Sequence, residues 1–466
     1  MSGYLLHQQQ KGIDLLIDIL QMNHGTSLTS LDAGQYSLIV QWGAEEFKHG
    51  DISVPVLNTA QGIQYATHEK KLSFLQLNGI ATATQSQSFI RLYYVVLFQD
   101  QIISIYRSSR KNIWFNEDQF KNKKQFIHIP VNHPGGEIRR IKKISMRTIY
   151  ALGLDFGGVF VGILPGDKCK VMDIHVTPFM TRESLLKFKQ CIEEFRKRYY
   201  KEDNQVLLGA DPEFVLRNPQ GKMVLASKFF QKHGKVGYDA VSMRGDNSRN
   251  RHPLAELRPD PSNNPRQLTI NLYRTMLLGI RKINNPSIEW LAGGLPYKGY
   301  PIGGHIHFSG IPFTFQLLRA LDNYLTLPLI LNEDPRGTAR RPRYGYLGDF
   351  RQQFHGGFEY RTPPSWLISP RITKGVFALS KVIVSSYRQL KYYPLMYMDT
   401  QEAYYKGDKK NLLPVVQNLW NQLEQLPIYQ SYEQYLNPFR DLIFSLRTWD
   451  ETRDIRPNWQ LPPFAK

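Results

Sequence analysis

Residues 303–310 read GGHIHFSG, and this short stretch carries the strongest structural signal in the chain. His305 and His307 alternate with Ile306 and Phe308, which is the pattern of a β-strand with one polar and one apolar face. Two glycines precede the histidines and would let backbone or a ligand approach closely. We therefore predict a strand that packs its apolar face on a core and presents both histidines on the other face.

Three other segments place polar residues two positions apart on predicted strands. They are Asp211-Pro212-Glu213, Glu256-Leu257-Arg258 and Glu359-Tyr360-Arg361. Because residues i and i+2 of a strand point to the same face, each segment offers two polar groups to one side of a sheet. Isolated charges are costly to bury, whereas grouped carboxylates and histidines form the site that Mg²⁺ or Mn²⁺ prefers. The four segments together predict a metal–phosphate site.

Each segment alone also has a plainer explanation. An Asp-Pro-Glu sequence is commonly a turn that enters a strand. A Glu-x-Arg pair on a strand is commonly a surface ion pair. Only the His-x-His pattern is by itself as consistent with a metal or phosphate role as with a structural one. The prediction therefore depends on all four segments meeting on one face of one sheet.

The elements around these segments predict an α+β fold in this half of the chain. Short strands alternate with long helices, which favours an antiparallel sheet packed by helices. The predicted helices are 267–283, 313–331 and 373–390. Helical pieces at 412–423 and 432–446 follow in the tail. In the preceding half, a strand pair at 91–98 and 101–106 and a helix at 68–78 are predicted.

Composition restricts the class of protein. The chain has 466 residues, which suggests two or three domains, and a formal net charge of +19 with a pI of about 9.6. That charge favours polyanionic partners, but no block of basic residues and no nucleic-acid motif occurs, so nucleic acid is not an expected partner. Cys169 and Cys191 fit no zinc or redox spacing. No transmembrane span or secretory signal is predicted, so we expect a cytoplasmic protein.

The motifs themselves resemble those of a known family. GADPEFVL at 209–216, AELRPDPS at 255–262, GGHIHFSG at 303–310 and GGFEYRTPPSW at 356–366 are similar to the motifs of the phage-type COOH–NH2 ligases (amidoligase type 2), distant relatives of glutamine synthetase and glutamate–cysteine ligase. The resemblance covers about 207–390. It implies a glutamine synthetase-like antiparallel sheet that carries ATP and two Mg²⁺ or Mn²⁺ ions.

The resemblance also implies roles for individual residues. One metal would be held by Glu213 and Glu256, with Asp239 or Asp246 as a third carboxylate. The other metal would be held by Asp211, His305 and Glu359. The expected ATP contacts are His307, Ser309 and Arg361. Arg258, Arg361 and either Arg341 or Arg343 are expected to neutralise the substrate carboxylate or an acyl phosphate.

The N-terminal half resembles a second family. Residues 56–83, 139–164 and 170–178 are similar to parts of ATP-grasp ligases, of a type associated with spore coats. Phe160 stands where the family has an acidic residue, and Asp173 and His175 stand for its Mg²⁺-binding Glu and Asn. The chain near 84–91 is too short for the strand and glycine-rich loop that cover ATP. The resemblance therefore implies a degenerate, inactive α/β ATP-grasp-like domain.

We predict three regions and one principal function from these observations. Residues 1–200 form the degenerate ATP-grasp-like domain, 201–395 the catalytic domain and 396–466 a helical extension that packs on it. The predicted function is ATP- and Mg²⁺-dependent joining of a carboxylate to an amine, on a small-molecule or peptide substrate. The alternatives are a non-catalytic scaffold with a basic surface for an acidic polymer, and a phosphotransferase that uses the same metal site. Homo-oligomerisation and spore association stay open.

Overall fold

The computed structural model describes residues 2–84, 87–108, 126–201, 205–243, 251–354 and 356–465. The chain divides into two compact units, the first comprising Met1–Lys201 with Lys391–Met396 and the second Glu202–Leu390 with Tyr397–Lys466. The segment 391–396 therefore differs from the sequence prediction, which placed most of it in the catalytic domain. The reason is local packing within the first unit, where the ring of Tyr393 lies 3.9 Å from that of His49, centroid to centroid.

The first unit, unit 1, contains two sheets. Its described strands are β1 (Tyr4–His7), β2 (Asn23–Gly25), β3 (Ile39–Trp42), β4 (Val56–Leu57), β5 (Arg91–Phe98), β6 (Gln101–Ser108), β7 (Phe126–Ile129), β8 (Phe156–Leu164) and β9 (Lys168–His175). Its described helices are α1 (Ile13–Leu20), α2 (Ser30–Ala33), α3 (Ala60–Thr67), α4 (Lys71–Leu77), α5 (Gly136–Ala151) and α6 (Arg182–Tyr199). Strands β1–β4 form a parallel sheet in the order β2-β1-β3-β4, and β5–β9 form an antiparallel sheet in the order β7-β6-β5-β8-β9.

One hydrophobic cluster joins the two sheets of unit 1. Trp42 of β3 stacks on Phe156 of β8 with ring centroids 5.6 Å apart, and Phe188 of α6 packs edge-on against both. The predicted strand pair is confirmed as β5 and β6. The predicted helix at 68–78 is shorter, because His68 has extended backbone angles that end α3 before α4 begins.

The second unit, unit 2, is built on one antiparallel sheet. Its described strands are β10 (Leu207–Arg217), β11 (Met223–Val224), β12 (Val236–Tyr238), β13 (Leu254–Leu257), β14 (Glu289–Leu291), β15 (Gly304–Ser309), β16 (Phe350–Gln352) and β17 (Phe358–Tyr360). Its described α-helices are α7 (Pro265–Ile283), α8 (Phe315–Leu321), α9 (Leu327–Ile330), α10 (Pro370–Ser386), α11 (Met398–Lys406), α12 (Lys409–Glu424), α13 (Pro427–Gln430) and α14 (Glu433–Phe444). The sheet order is β12-β13-β10-β15-β17-β16, and β11 and β14 also pair with β10. This architecture confirms the predicted α+β class.

Alternation along the strands separates the two faces of the unit 2 sheet. Phe214, Ile306, Phe308, Phe358 and Tyr360 are all buried. Across the strands, the rings of Phe308 and Phe358 stack with centroids 5.1 Å apart. Burying a side chain of this size contributes about 1.5–3 kcal/mol. Since neighbouring residues point the other way, the polar side chains between these aromatics are held on the opposite face.

The helix predicted at 313–331 is interrupted in the structure. A π-helical turn at Asp322–Thr326 separates α8 from α9. Pro328 in α9 lacks a backbone N–H, which removes one helical hydrogen bond at this point. The hydroxyl of Tyr360 in β17 donates to Asp322 Oδ1 at 2.6 Å. This hydrogen bond connects the π-helical turn to the sheet.

Candidate active site

The register of the unit 2 sheet brings the predicted polar residues together. Asp211 on β10 lies opposite His305 on β15, and His307 on β15 lies opposite Glu359 on β17. Glu213 on β10 lies opposite Glu256 on β13. These residues share the face that the aromatic side chains do not occupy, so four separate motifs meet on one surface, as the sequence predicts.

Three of these side chains form a compact group. One ligand atom from each of Asp211, His307 and Glu359 lies within 4.8 Å of the other two. His307 Nε2 is 2.8 Å from Asp211 Oδ1, and His305 Nδ1 is 3.4 Å from Glu359 Oε1. Glu359 Oε1 is buried without a hydrogen-bond partner among the described residues. Two carboxylates and an imidazole, with one carboxylate oxygen that lacks a hydrogen-bond partner, fit a divalent cation.

Burial and crowding shift the pKa values of this group. Burial, together with the charge of Asp211, raises the pKa of Glu256 to about 10 and that of Glu359 to about 7. Burial would lower the pKa of His305, but the carboxylates of Glu213 and Asp211 outweigh it and raise that pKa to about 9. Carboxylates held this close together repel one another, and a bound cation would relieve that repulsion.

A cavity of about 910 Å³ opens above the group. Its volume lies within the range of small-molecule sites, roughly 300–1,000 Å³. Basic residues line its walls: Lys232, His233, Arg258, Arg351 and Arg361. All three arginines form ion pairs with carboxylates on the floor of the cavity. Arg258 lies 2.5 Å from Glu256, and Arg351 and Arg361 lie 3.1 and 3.4 Å from Glu359. Positive walls above a carboxylate floor suit a nucleotide whose phosphates bind a metal.

A second cavity of about 390 Å³ adjoins the first. Asp239 and Arg361 line both cavities, whereas Glu213 lines only the second and Glu256 only the first. The carboxylate of Glu213 accepts hydrogen bonds from the Gly303 amide at 2.7 Å and the Tyr344 hydroxyl at 3.2 Å. The predicted metal pair of Glu213 and Glu256 therefore lies between two spaces.

The family match agrees with this geometry. Residues 208–461 match the model of the phage phiEco32-like COOH.NH2 ligase-type 2 family, which is more than half of the chain. The chain belongs to this family. The protein is therefore an ATP-dependent carbon–nitrogen ligase that joins a carboxylate to an amine. The match continues beyond residue 390, so the C-terminal helices of the ligase are part of the family domain.

Solved ATP-grasp ligases resemble the N-terminal part of the ligase, with low scores. The D-alanine–D-alanine ligase of Bacillus anthracis is 12% identical, with a TM-score of 0.31, and the match covers 44% of this chain and 100% of that one. The macrocyclase MdnC of Microcystis aeruginosa, bound to its precursor peptide, is 8% identical, with a TM-score of 0.30, over 42% and 100%. No curated protein matches significantly.

Arg341 was predicted to contact the substrate or the acyl phosphate, but it lines neither cavity. Its side chain is buried away from both cavities, pairs with Glu333 at 2.5 Å and lies over the ring of Tyr404 at 4.9 Å. Arg341 therefore serves the fold of the ligase. Arg343 lines the second cavity, as the alternative prediction allowed.

The remaining predicted residues line one of the cavities. Ser309, His307, His305 and Arg258 line the first. The compact three-ligand group contains His307, which the resemblance assigned to ATP, and His305 instead lies 3.3 Å from the Tyr344 hydroxyl. Asp246 lies outside the described residues.

Sequence reasoning missed several residues of the site. Arg351 and Gln353 contact Glu359 from β16 and the turn after it, with Gln353 Nε2 donating at 3.0 Å. Arg340 and Tyr344 line the second cavity. Arg351 and Gln353 are two residues apart, so they point to the same side of the strand, and Arg351 lies opposite Glu359. This pattern can be recognised only once the pairing of β16 with β17 is known.

A buried carboxylate fastens the C-terminal segment to the wall of the second cavity. Glu451 is fully buried, and its two oxygens accept from the amides of Gly294 at 2.5 Å and Leu295 at 2.7 Å. Leu295 lines the second cavity.

Among the described residues, none of the helices is long and apolar enough to cross a membrane.

The residues expected to replace magnesium ligands in unit 1 are engaged with each other. Phe160 and Asp173 are cross-strand partners on β8 and β9. Asp173 forms an ion pair with Lys71 and lies 3.6 Å from His175 Nε2. Burial opposes ionisation of Asp173, but the nearby imidazole of His175 and the ammonium group of Lys71 outweigh it and lower its pKa to about 2. An internal cation therefore already neutralises this carboxylate.

Proposed function

We propose that the ligase activates its carboxylate substrate as an acyl phosphate in the first cavity and then couples it to an amine. The observation that supports this most directly is the Asp211–His307–Glu359 group on the floor of a cavity with basic walls. Phosphoryl transfer requires charge neutralisation and positioning more than covalent catalysis, and these residues supply both.

In this proposal the residues on the floor of the first cavity bind metal ions, and the arginines of its walls contact phosphate. Asp211, His307 and Glu359 would hold one Mg²⁺ or Mn²⁺ ion, and Glu256 with Glu213 would hold a second. A bound divalent cation neutralises phosphate oxygens during transfer. Arg351 and Arg361 lie beside Glu359, where they can contact phosphate oxygens that lie above the floor.

The reaction that we propose has two balanced steps. The substrate carboxylate attacks the γ-phosphorus of ATP, which forms the acyl phosphate and releases ADP. The amine nitrogen then bonds to the acyl carbon, and the bond from that carbon to the phosphate oxygen breaks. We propose an amino-acid or peptide-type substrate, because the second cavity beside the first carries both acidic and basic side chains.

The test compares the wild type with Glu359→Gln, using Glu402→Gln as the carboxylate control, because Glu402 is a half-exposed residue of α11 that lines neither cavity. Phosphate release and product masses are measured with ATP and Mg²⁺ or Mn²⁺ across amino acids, polyamines and peptides. The proposal requires amine-dependent phosphate release and a product lighter than its summed substrates by one water, lost in Glu359→Gln and kept in the control. A phosphorylated product without amide would instead establish a phosphotransferase. Absence of nucleotide and metal binding would leave a scaffold.

A further inference from the structure

The second cavity has a chemical character different from the first. Its floor belongs to a hydrophobic cluster that includes Leu254 and Tyr300, and its walls add Val241, Leu295, Pro301 and Ala339. Apolar surface of this kind binds an apolar side chain, and it does not suit ATP phosphates. The volume of about 390 Å³ is large enough for one amino acid.

Two arginines, Arg340 and Arg343, supply positive charge at one side of this cavity. Arg340 is 3% exposed, and its Nη2 donates to the carbonyl of Thr362 at 2.9 Å. Its Nε and Nη1 are buried without a hydrogen-bond partner among the described residues. Arg343 is exposed at the same cavity, and no described carboxylate lies within ion-pair distance of either arginine. A buried guanidinium in this state favours a bound anion.

A carboxylate stands at the junction of the two cavities. Asp239 lines both, and its Oδ1 accepts from the Val241 amide at 2.7 Å. An ammonium group next to Asp239 would face the space above the metal group. The second cavity thus presents positive charge, negative charge and apolar surface to one ligand, which is the pattern of an α-amino acid with an apolar side chain.

We propose that the second cavity binds the amine substrate, and that this substrate is a free α-amino acid with an apolar side chain. The carboxylate of this amino acid forms an ion pair with Arg343 and is also attracted by the positive charge of Arg340. Its amine contacts Asp239. Its side chain lies against Leu254 and Tyr300. In the coupling step the ammonium nitrogen loses two protons, of which one goes to the departing phosphate and one to solvent. This inference rests on the proposed function.

The experiment measures binding by calorimetry to the full chain with Mg²⁺ and a non-hydrolysable ATP analogue. The ligands are leucine, phenylalanine, leucinamide, N-acetyl-leucine and putrescine. The variants are Arg343→Ala, Val241→Trp at a half-exposed position of the cavity wall, and Arg453→Ala as an exposed arginine control outside both cavities.

We expect leucine or phenylalanine to bind the wild type and the control equally. Arg343→Ala should weaken that binding about 10- to 100-fold, as loss of a hydrogen bond to a charged group does. Val241→Trp should weaken it by filling the cavity, with the affinity for nucleotide unchanged in both variants. Equal binding of leucinamide and leucine, or unchanged affinity in Arg343→Ala, would overturn the inference while nucleotide binding persists. Loss of nucleotide binding in the wild type would mark failure of the proposed function itself.

Discussion

Glu213 and Glu256 are direct cross-strand partners, yet their side chains line different cavities. The pair therefore forms a partition of two carboxylates between the space with basic walls and the space with apolar walls. The proposed reaction would use such an arrangement, because two substrates could bind separately and still meet at one point. Asp239 and Arg361, which line both cavities, mark that point.

The two histidines of β15 should contribute unequally to metal binding. His307→Ala should weaken Mn²⁺ binding by at least about tenfold, because it removes a member of the three-ligand group. His305→Ala should weaken it less, since His305 lies farther from Asp211, at 3.6 Å. Mn²⁺ titration followed by electron paramagnetic resonance measures both affinities. If His305→Ala weakened Mn²⁺ binding more than His307→Ala does, His305 and not His307 would be the metal ligand.

Arg341 and Arg343 should separate stability from activity. Arg341→Ala leaves Glu333 buried without its partner, so the free energy of unfolding should fall by about 3–5 kcal/mol. Arg343→Ala, at an exposed position, should change it by less than about 0.5 kcal/mol and should instead raise the KM for the amine substrate. Urea unfolding and steady-state kinetics measure the two effects. A stable Arg341→Ala variant with impaired substrate binding would contradict this assignment.

Glu451 should make unit 2 less stable as pH rises towards neutrality. Burial raises its pKa from 4.5 to about 7, even though the amides of Gly294 and Leu295 favour the charged form. Between these two values the folded state keeps a proton that the unfolded state has lost, so stability falls with increasing pH, by up to roughly 3 kcal/mol in total. Unfolding of the wild type and Glu451→Gln at several pH values from 4.5 to 8 isolates this contribution. Parallel curves for both proteins would refute it.

Unit 1 should not contribute catalytic metal ligands. Asp173→Asn should retain the kcat of the ligase, because Asp173 is already paired with Lys71. Circular dichroism serves as the control for folding of the variant. Loss of ATP turnover in a folded Asp173→Asn protein, with nucleotide still bound in unit 2, would show that unit 1 is active.

The strands that carry the site could be predicted because their signal is local. His305 and His307 alternate with apolar residues, and the same period places Asp211 with Glu213. The choice between Arg341 and Arg343 could not be made, because both follow the end of a short helix, where no repeating geometry fixes the direction of their side chains. The second cavity was equally inaccessible to sequence reasoning, since Asp239, Tyr300 and Arg343 meet only through long-range packing.

The attachment of Glu451 to Gly294 and Leu295 has a consequence for the order of events during protein synthesis. Strand β10, with Glu213, leaves the ribosome long before Glu451 is made, although Glu213 lines the second cavity and Glu451 holds part of its wall. The residues Asp211, His307 and Glu359 are thus all synthesised before the residue that holds the wall of the second cavity. Because Glu451 holds the backbone at Leu295, we expect the second cavity to reach its final shape only after the segment that carries Glu451 has docked.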